Sequence, residues 1–287
     1  MTRRNGAAVV LVAASIAIVF WPVVSSLVRQ WASDENYSHG FLVAPLAFYF
    51  AWTSRRALSA TEPAPHPGGL ALVLFSMLLF TAGQLGAELF LTRVSLLGVV
   101  AGSVVFLWGR AHVRRLLFPF LLFLLAIPLP AILFNQIAFP LQLLASRTAE
   151  SVLSAVNVPV LREGNVLVLP NISLEVAEAC SGLRSLASLV AVALILGKWS
   201  TPRRGTRAAL ALLAVPVAVI ANAARVAGTG LASAWIGPRA AQGFFHEFSG
   251  WVMFVAAFAV LLGCARLLER CSRVMPRRAR QAALSLP

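Results

Sequence analysis

Eight long apolar runs, near residues 7–27, 38–53, 69–87, 94–109, 115–134, 178–197, 208–234 and 249–268, dominate this sequence. A helix needs roughly 20 apolar residues to cross a hydrocarbon core about 30 Å thick. Backbone facing lipid must satisfy its hydrogen bonds within the membrane, so spanning segments are helices or closed barrels. Barrel strands alternate polar and apolar over about ten positions, whereas these runs are apolar all round. The expected fold class is therefore an all-α polytopic membrane bundle of about eight spans, a single integral membrane domain over residues 1–287. Only 12% of the residues are charged, against about a quarter in a soluble domain. Polar surface that sparse cannot cover a water-soluble globule.

The net charge of +14 raises nucleic acid as a partner, but the placement of the charges assigns them to topology. Most basic residues lie in short clusters between the apolar runs. These are Arg3 and Arg4; Arg55 and Arg56; Arg110, Arg114 and Arg115; Lys198 with Arg203, Arg204 and Arg207; and the series from Arg266 to Arg280. With the N-terminus inside, all of them fall on one side, and of the ten acids only Glu62 and Glu269 join them. The positive-inside rule then puts both termini in the cytoplasm. The partner is the lipid bilayer, and no nucleic acid is expected. The first apolar run is too long, and lacks the small-residue cleavage site, for a signal peptide, so it reads as a retained span. The segment 61–69 is a Pro/Gly-rich cytoplasmic loop. The tail from about 269 to 287 is basic and is expected to fray beside anionic lipid.

The longest outer segment, about 135–177, has two parts. Asn135–Val156 mixes apolar residues with Gln142, Arg147, Glu150 and Ser154, which predicts an interfacial amphipathic helix. After it, two β-branched runs flank Arg162-Glu163-Gly164-Asn165, which predicts a hairpin turning on Gly-Asn.

Three positions bearing reactive groups share that outer side. Cys180 stands where the hairpin enters the sixth span. A helix N-terminus and the nearby Arg184 favour thiolate, while Glu175 and Glu178 oppose it. The bland reading is an inert buried cysteine; Cys264 and Cys271, at the cytoplasmic end, read as packing residues. Arg225 falls inside the seventh apolar run with Asn222 one turn earlier. A charge within a span is costly and commonly faces a partner or a wet cavity. It is either a structural arginine or a fixed cation for a developing oxyanion or a carboxylate. His246 precedes the eighth span. It is either an interfacial anchor or an imidazole that takes a thiol proton and returns it to a leaving amine. His66 and His112 lie in cytoplasmic loops, and the role of the other outer histidine, His39, stays open. Zinc competes for a Cys/His pair, but no CxxC, HExxH or close ligand pair shares a side. No Walker loop, GxSxG elbow or dinucleotide fingerprint occurs. No cofactor and no metal are expected.

Leu174-Glu-Val-Ala-Glu-Ala-Cys-Ser-Gly-Leu-Arg-Ser-Leu186 resembles the cysteine motif of the exosortase/archaeosortase family. Asn222-Ala-Ala-Arg225 resembles its arginine motif and Phe245-His-Glu-Phe-Ser-Gly-Trp251 its histidine motif. Tyr37-Ser-His-Gly-Phe-Leu-Val43 and Val158–Pro170 resemble its upstream segments. The resemblance runs from about residue 34 to 265. It implies an inner-membrane enzyme of a Gram-negative bacterium with its site facing the periplasm. Such an enzyme processes secreted proteins that end in a Pro-Glu-Pro-like motif, a transmembrane helix and a basic tail. By that resemblance Cys180 is the nucleophile, Arg225 the oxyanion-stabilising cation and His246 the acid–base partner; Arg184, Asn222 and Glu178, read from their spacing and charge, are the expected supporting residues. The sorting-signal helix of the substrate is then a partner, and the acceptor nucleophile is unknown. Plain hydrolysis, a transporter with Arg225 at mid-membrane, and a scaffold for polysaccharide export are the alternatives.

Overall fold

The computed structural model describes residues 3–176, 183–200, 203–237 and 243–284; side chains at 3–5, 8, 183, 243–247 and beyond 271 are outside that description. The chain divides into two compact units, Met1–Leu133 and Phe134–Pro287.

The first unit holds α1 (Arg3–Ser33), a 3₁₀ turn (Glu35–Tyr37), α2 (Gly40–Thr53), the short α3 (Arg55–Ser59), α4 (Gly68–Leu85), α5 (Leu89–Trp108) and α6 (Arg110–Leu124). Small residues let α4 and α5 approach closely. Gly69, Ser76 and Gly83 recur every seven residues on α4, and Gly102, Gly98 and Thr92 respectively meet them from α5. Small-residue stripes of this kind are how helices pack where lipid removes the hydrophobic drive. Glu88 starts α5 by accepting the Leu91 N–H at 3.1 Å. Further along α5, Arg93 is 2% exposed. Its guanidinium donates to Gln30 Oε1 at 2.6 Å and to Ser26 Oγ at 3.4 Å, one turn apart on α1. A buried guanidinium persists only with such partners.

The expected span at 115–134 is not one helix. α6 stops at Leu124 and α7 starts at Ala131. Pro128 and Pro130 lie between them; each lacks an N–H and holds its predecessor out of the helical region. The break leaves carbonyls at the end of α6 without intrahelical donors. Two side chains supply them: Trp31 Nε1 donates to Ala126 O at 2.8 Å, and His39 Nε2 donates to Leu125 O at 3.1 Å.

The second unit starts with α7 (Ala131–Ala155), whose first residues lie at the boundary. The predicted amphipathic helix is present: Phe134, Ala138, Gln142, Ala145, Ser146, Ala149 and Leu153 form its buried stripe. The predicted hairpin is also present, extended by a third strand. β1 (Leu161–Glu163), β2 (Val166–Leu169) and β3 (Ile172–Glu175) form an antiparallel sheet in that order, with Glu163 opposite Val166 and Leu169 opposite Ile172. Only the first of the two loop residues between β1 and β2, Gly164, has a positive φ, +65°. A type II′ turn asks for glycine there. The helices α8 (Leu183–Ser200), α9 (Arg204–Ile236) and α10 (Gly243–Leu284) follow and pack on one another.

Among the described residues, five helical segments are long and apolar enough to cross a membrane: Val9–Ser33, Gly68–Leu85, Leu89–Trp108, Arg204–Ile236 and Phe248–Cys271. The protein is a multi-pass membrane protein. At the three remaining predicted positions stand α2, α6 and α8, with 14, 15 and 18 residues. The first two fall short of the usual crossing length, and α8 carries Arg184 and Lys198 near its two ends. The tail differs from the frayed segment expected, because α10 runs to Leu284. Its Arg, Ala and Gln residues are strong helix formers.

Candidate active site

Two apolar cores in the second unit fix where its polar residues stand. One unites Leu189 and Ala193 of α8, Leu210, Ala214 and Ala218 of α9, and Ala257, Leu261 and Ala265 of α10. The other joins α7, the sheet and the later part of α9 through Ala149, Leu153, Leu167, Leu169, Val176, Val226 and Ala227. The boundary between them falls on α9 at residues 219–225. About 17 Å of helix separates Arg225 from the end of α9, at 1.5 Å per residue.

A small cleft opens at that boundary among the three helices. It is lined by Ser185 of α8, Ala221, Asn222 and Arg225 of α9, and Gly250, Met253 and Phe254 of α10, with Leu189 and Ala257 at its base. It has room for about one water molecule. Asn222 is buried and Arg225 half-buried. The position of Arg225 depends on a glycine. A Cβ built on Gly250 would lie 3.3 Å from Arg225 Cζ and 3.4 and 3.6 Å from its two terminal nitrogens. The guanidinium thus lies against bare α10 backbone.

Register relates this cleft to the other predicted residues. His246 belongs to the first turn of α10, four residues before Gly250, and positions i and i+4 share a helical face. Its side chain is outside the described residues, as are all of Cys180 and Glu178. Cys180 stands five positions before Ser185 in the chain. Arg184 is half-buried in the first turn of α8, next to Ser185. Cys264 packs against the core of α8, α9 and α10, and Cys271 is exposed. They follow Gly250 on α10 by 14 and 21 positions, about 21 and 32 Å along the axis.

The segment that leads to Cys180 is held from α7. Three polar side chains at four-residue spacing face the hairpin loop. Asn165 Nδ2 reaches Gln142 Oε1 at 3.5 Å, Ser146 Oγ donates to Gly164 O at 3.0 Å, and Arg162 Nε donates to Glu150 Oε2 at 2.8 Å. Asn165 then ties the end of β3 back to the loop. Its backbone carbonyl accepts the Val176 N–H at 2.9 Å, and its amide donates to Val176 O at 3.4 Å.

The profile of the transmembrane exosortase family matches residues 31–263, most of the chain. The chain belongs to the transmembrane exosortase family. Neither the curated proteins nor the solved structures contain a match. The matched range agrees with the 34–265 over which the motifs resemble that family. Exosortases are protein-processing enzymes of membranes, so the protein has an exosortase-type function.

Sequence reasoning overlooked two residues of the cleft, Ser185 and Gly250. Both lie inside the quoted motifs. A serine in a helix is common, and a glycine carries no functional group, so neither drew attention without the cleft that joins them.

Proposed function

We propose that this exosortase is a cysteine-type endopeptidase or transpeptidase that cleaves the C-terminal sorting signal of secreted proteins at the periplasmic face of the inner membrane. Cys180 is the nucleophile, His246 the proton shuttle and Arg225 the cation for the oxyanion. One observation carries this reading. Arg225 and Asn222 share a cleft with the start of α8, which follows the cysteine motif, and with Gly250, one turn after His246 on α10. Three separate chain segments, each carrying one family motif, converge there.

The chemistry follows from the groups. A thiolate attacks the scissile carbonyl and gives a tetrahedral oxyanion, and the amine departs to leave a thioacyl enzyme. A guanidinium held before the reaction starts stabilises that oxyanion without reorganising. The imidazole accepts the thiol proton and returns it to the leaving amine. An acceptor nucleophile or water then releases the acyl group. The substrate's own apolar helix docks among the spans, and this tethering reduces the entropic cost of encounter.

Topology completes the proposal. Eight crossings put both termini in the cytoplasm, with α2, α6 and α8 as the short ones and the sheet on the periplasmic side. The basic clusters support that orientation.

The test is a secreted reporter ending in Pro-Glu-Pro, an apolar span and an Arg cluster, co-expressed with the full-length protein. Cys180→Ala and Arg225→Ala each abolish its processing while the protein still inserts. Normal processing by either variant removes that residue from the mechanism.

A further inference from the structure

Ser185 is the third polar side chain lining the cleft, beside Asn222 and Arg225. It lies in the first turns of α8, five positions after Cys180. The other cleft residues are glycine, alanine and apolar side chains. Among the described residues its hydroxyl has no hydrogen-bond partner. The cleft admits about one water-sized group. It is far too small for a side chain but adequate for a single oxygen.

We propose that Ser185 is a further catalytic residue, whose hydroxyl donates a hydrogen bond to the scissile carbonyl oxygen that Arg225 and Asn222 receive in the same niche. The inference rests on the reading of Cys180 as nucleophile. When the thiolate adds, a C–S bond forms and the carbonyl π pair moves to oxygen. The Ser185 hydroxyl, the Asn222 amide and the Arg225 guanidinium hold that oxygen until the C–N bond breaks. The amine then leaves with the proton carried by the imidazole, and the C=O bond re-forms in the thioacyl enzyme. Ser185 keeps its own proton throughout. Its distinct contribution is a neutral donor from α8, the helix that follows the nucleophile, so it approaches the oxygen from a different side than the two donors of α9.

The experiment uses the full-length enzyme in liposomes and the reporter described above, with turnover and trapped thioacyl enzyme both measured. Ser185→Ala lowers kcat about 10²-fold, the effect of removing one donor from an oxyanion site, and changes KM by no more than about twofold, because the bond strengthens only as charge develops. Ser185→Thr keeps a hydroxyl and recovers most of the rate. A wild-type rate in Ser185→Ala, a loss confined to KM, or a threonine variant as poor as the alanine one overturns the proposal. Cys180→Ala is run alongside. If that variant still processes the reporter, the nucleophile reading fails. If it is inactive while Ser185→Ala is unaffected, only the role of Ser185 fails.

Discussion

Replacing Gly250 by alanine separates activity from stability, because the two respond in opposite directions. The added methyl lies 3.3 Å from Arg225 Cζ, inside the 3.5–4.0 Å that carbon atoms prefer. The guanidinium retreats from α10 by about 0.5 Å to restore that contact. A displacement of about 1 Å at a reacting centre costs on the order of 10²-fold, so Gly250→Ala lowers the processing rate about tenfold and Gly250→Val about 10²-fold or more. The helix itself responds the other way. Gly250 is internal to α10, and alanine there stabilises a helix by roughly 0.5–1 kcal/mol over glycine. The assay measures reporter processing in membrane vesicles at matched protein levels, beside thermal unfolding of the same variants in detergent. The expected result is a slower enzyme that unfolds at the same temperature or higher. Full activity in Gly250→Val refutes the placement of the guanidinium, and a parallel fall of activity and stability in Gly250→Ala refutes the argument that glycine serves the site.

His39→Ala leaves the Leu125 carbonyl without its donor and lowers stability by about 1 kcal/mol, seen as a lower unfolding temperature with near-normal processing per folded molecule; a stable but inactive His39→Ala would instead make this histidine part of the chemistry. Arg93→Leu strands the Gln30 carbonyl and costs about 2 kcal/mol, and adding Gln30→Leu restores part of it; denaturant unfolding of single and double variants checks this, and additive losses would contradict a direct pairing. Ser146→Ala removes one of two donors to the Gly164 carbonyl, the other being Arg162 Nη1 at 3.0 Å, and weakens the hairpin anchor by about 1 kcal/mol, so amide exchange across 164–166 quickens about fivefold, while unchanged exchange would mean the neighbouring contacts hold the loop without it.

The spans were legible because their signal is composition over a long window, to which every residue contributes. The hairpin was legible because Gly164-Asn165 is local turn chemistry between β-branched runs. The third strand was not. Ile172–Glu175 is a short stretch after Pro170, and its pairing with β2 and its packing against α7 and α9 come from parts of the chain remote in sequence. Counting spans failed to settle at eight for a related reason. Hydropathy sees that 115–134 is apolar, but the chain bends where Pro128 and Pro130 interrupt it. The histidine that completes the bend, His39, lies 86 residues earlier. Of the cleft, Arg225 and Asn222 were legible because such groups are rare in apolar sequence. Ser185 and Gly250 were not, since their meaning is a shared cleft.

The anchoring of the hairpin and the placement of Arg225 are parts of one arrangement, because α9 takes part in both cores. Val226 and Ala227 face the sheet, while Asn222 and Arg225, on the neighbouring face of the same turns, line the cleft. The sheet is in turn registered on α7 by Gln142, Ser146 and Glu150. β3 leaves that sheet at Val176, four residues before Cys180 in the chain, so the anchors on α7 act both on the strand that leads to the cysteine motif and on the helix that carries the guanidinium. The proposed attack by Cys180 needs groups held to within a fraction of an ångström, and on that proposal the small sheet belongs to the machinery of the site. A sequence change that slipped its register by one residue would turn Leu167 and Leu169 out of the core and, on the proposed mechanism, shift the chain leading to Cys180 without touching any of the three motifs.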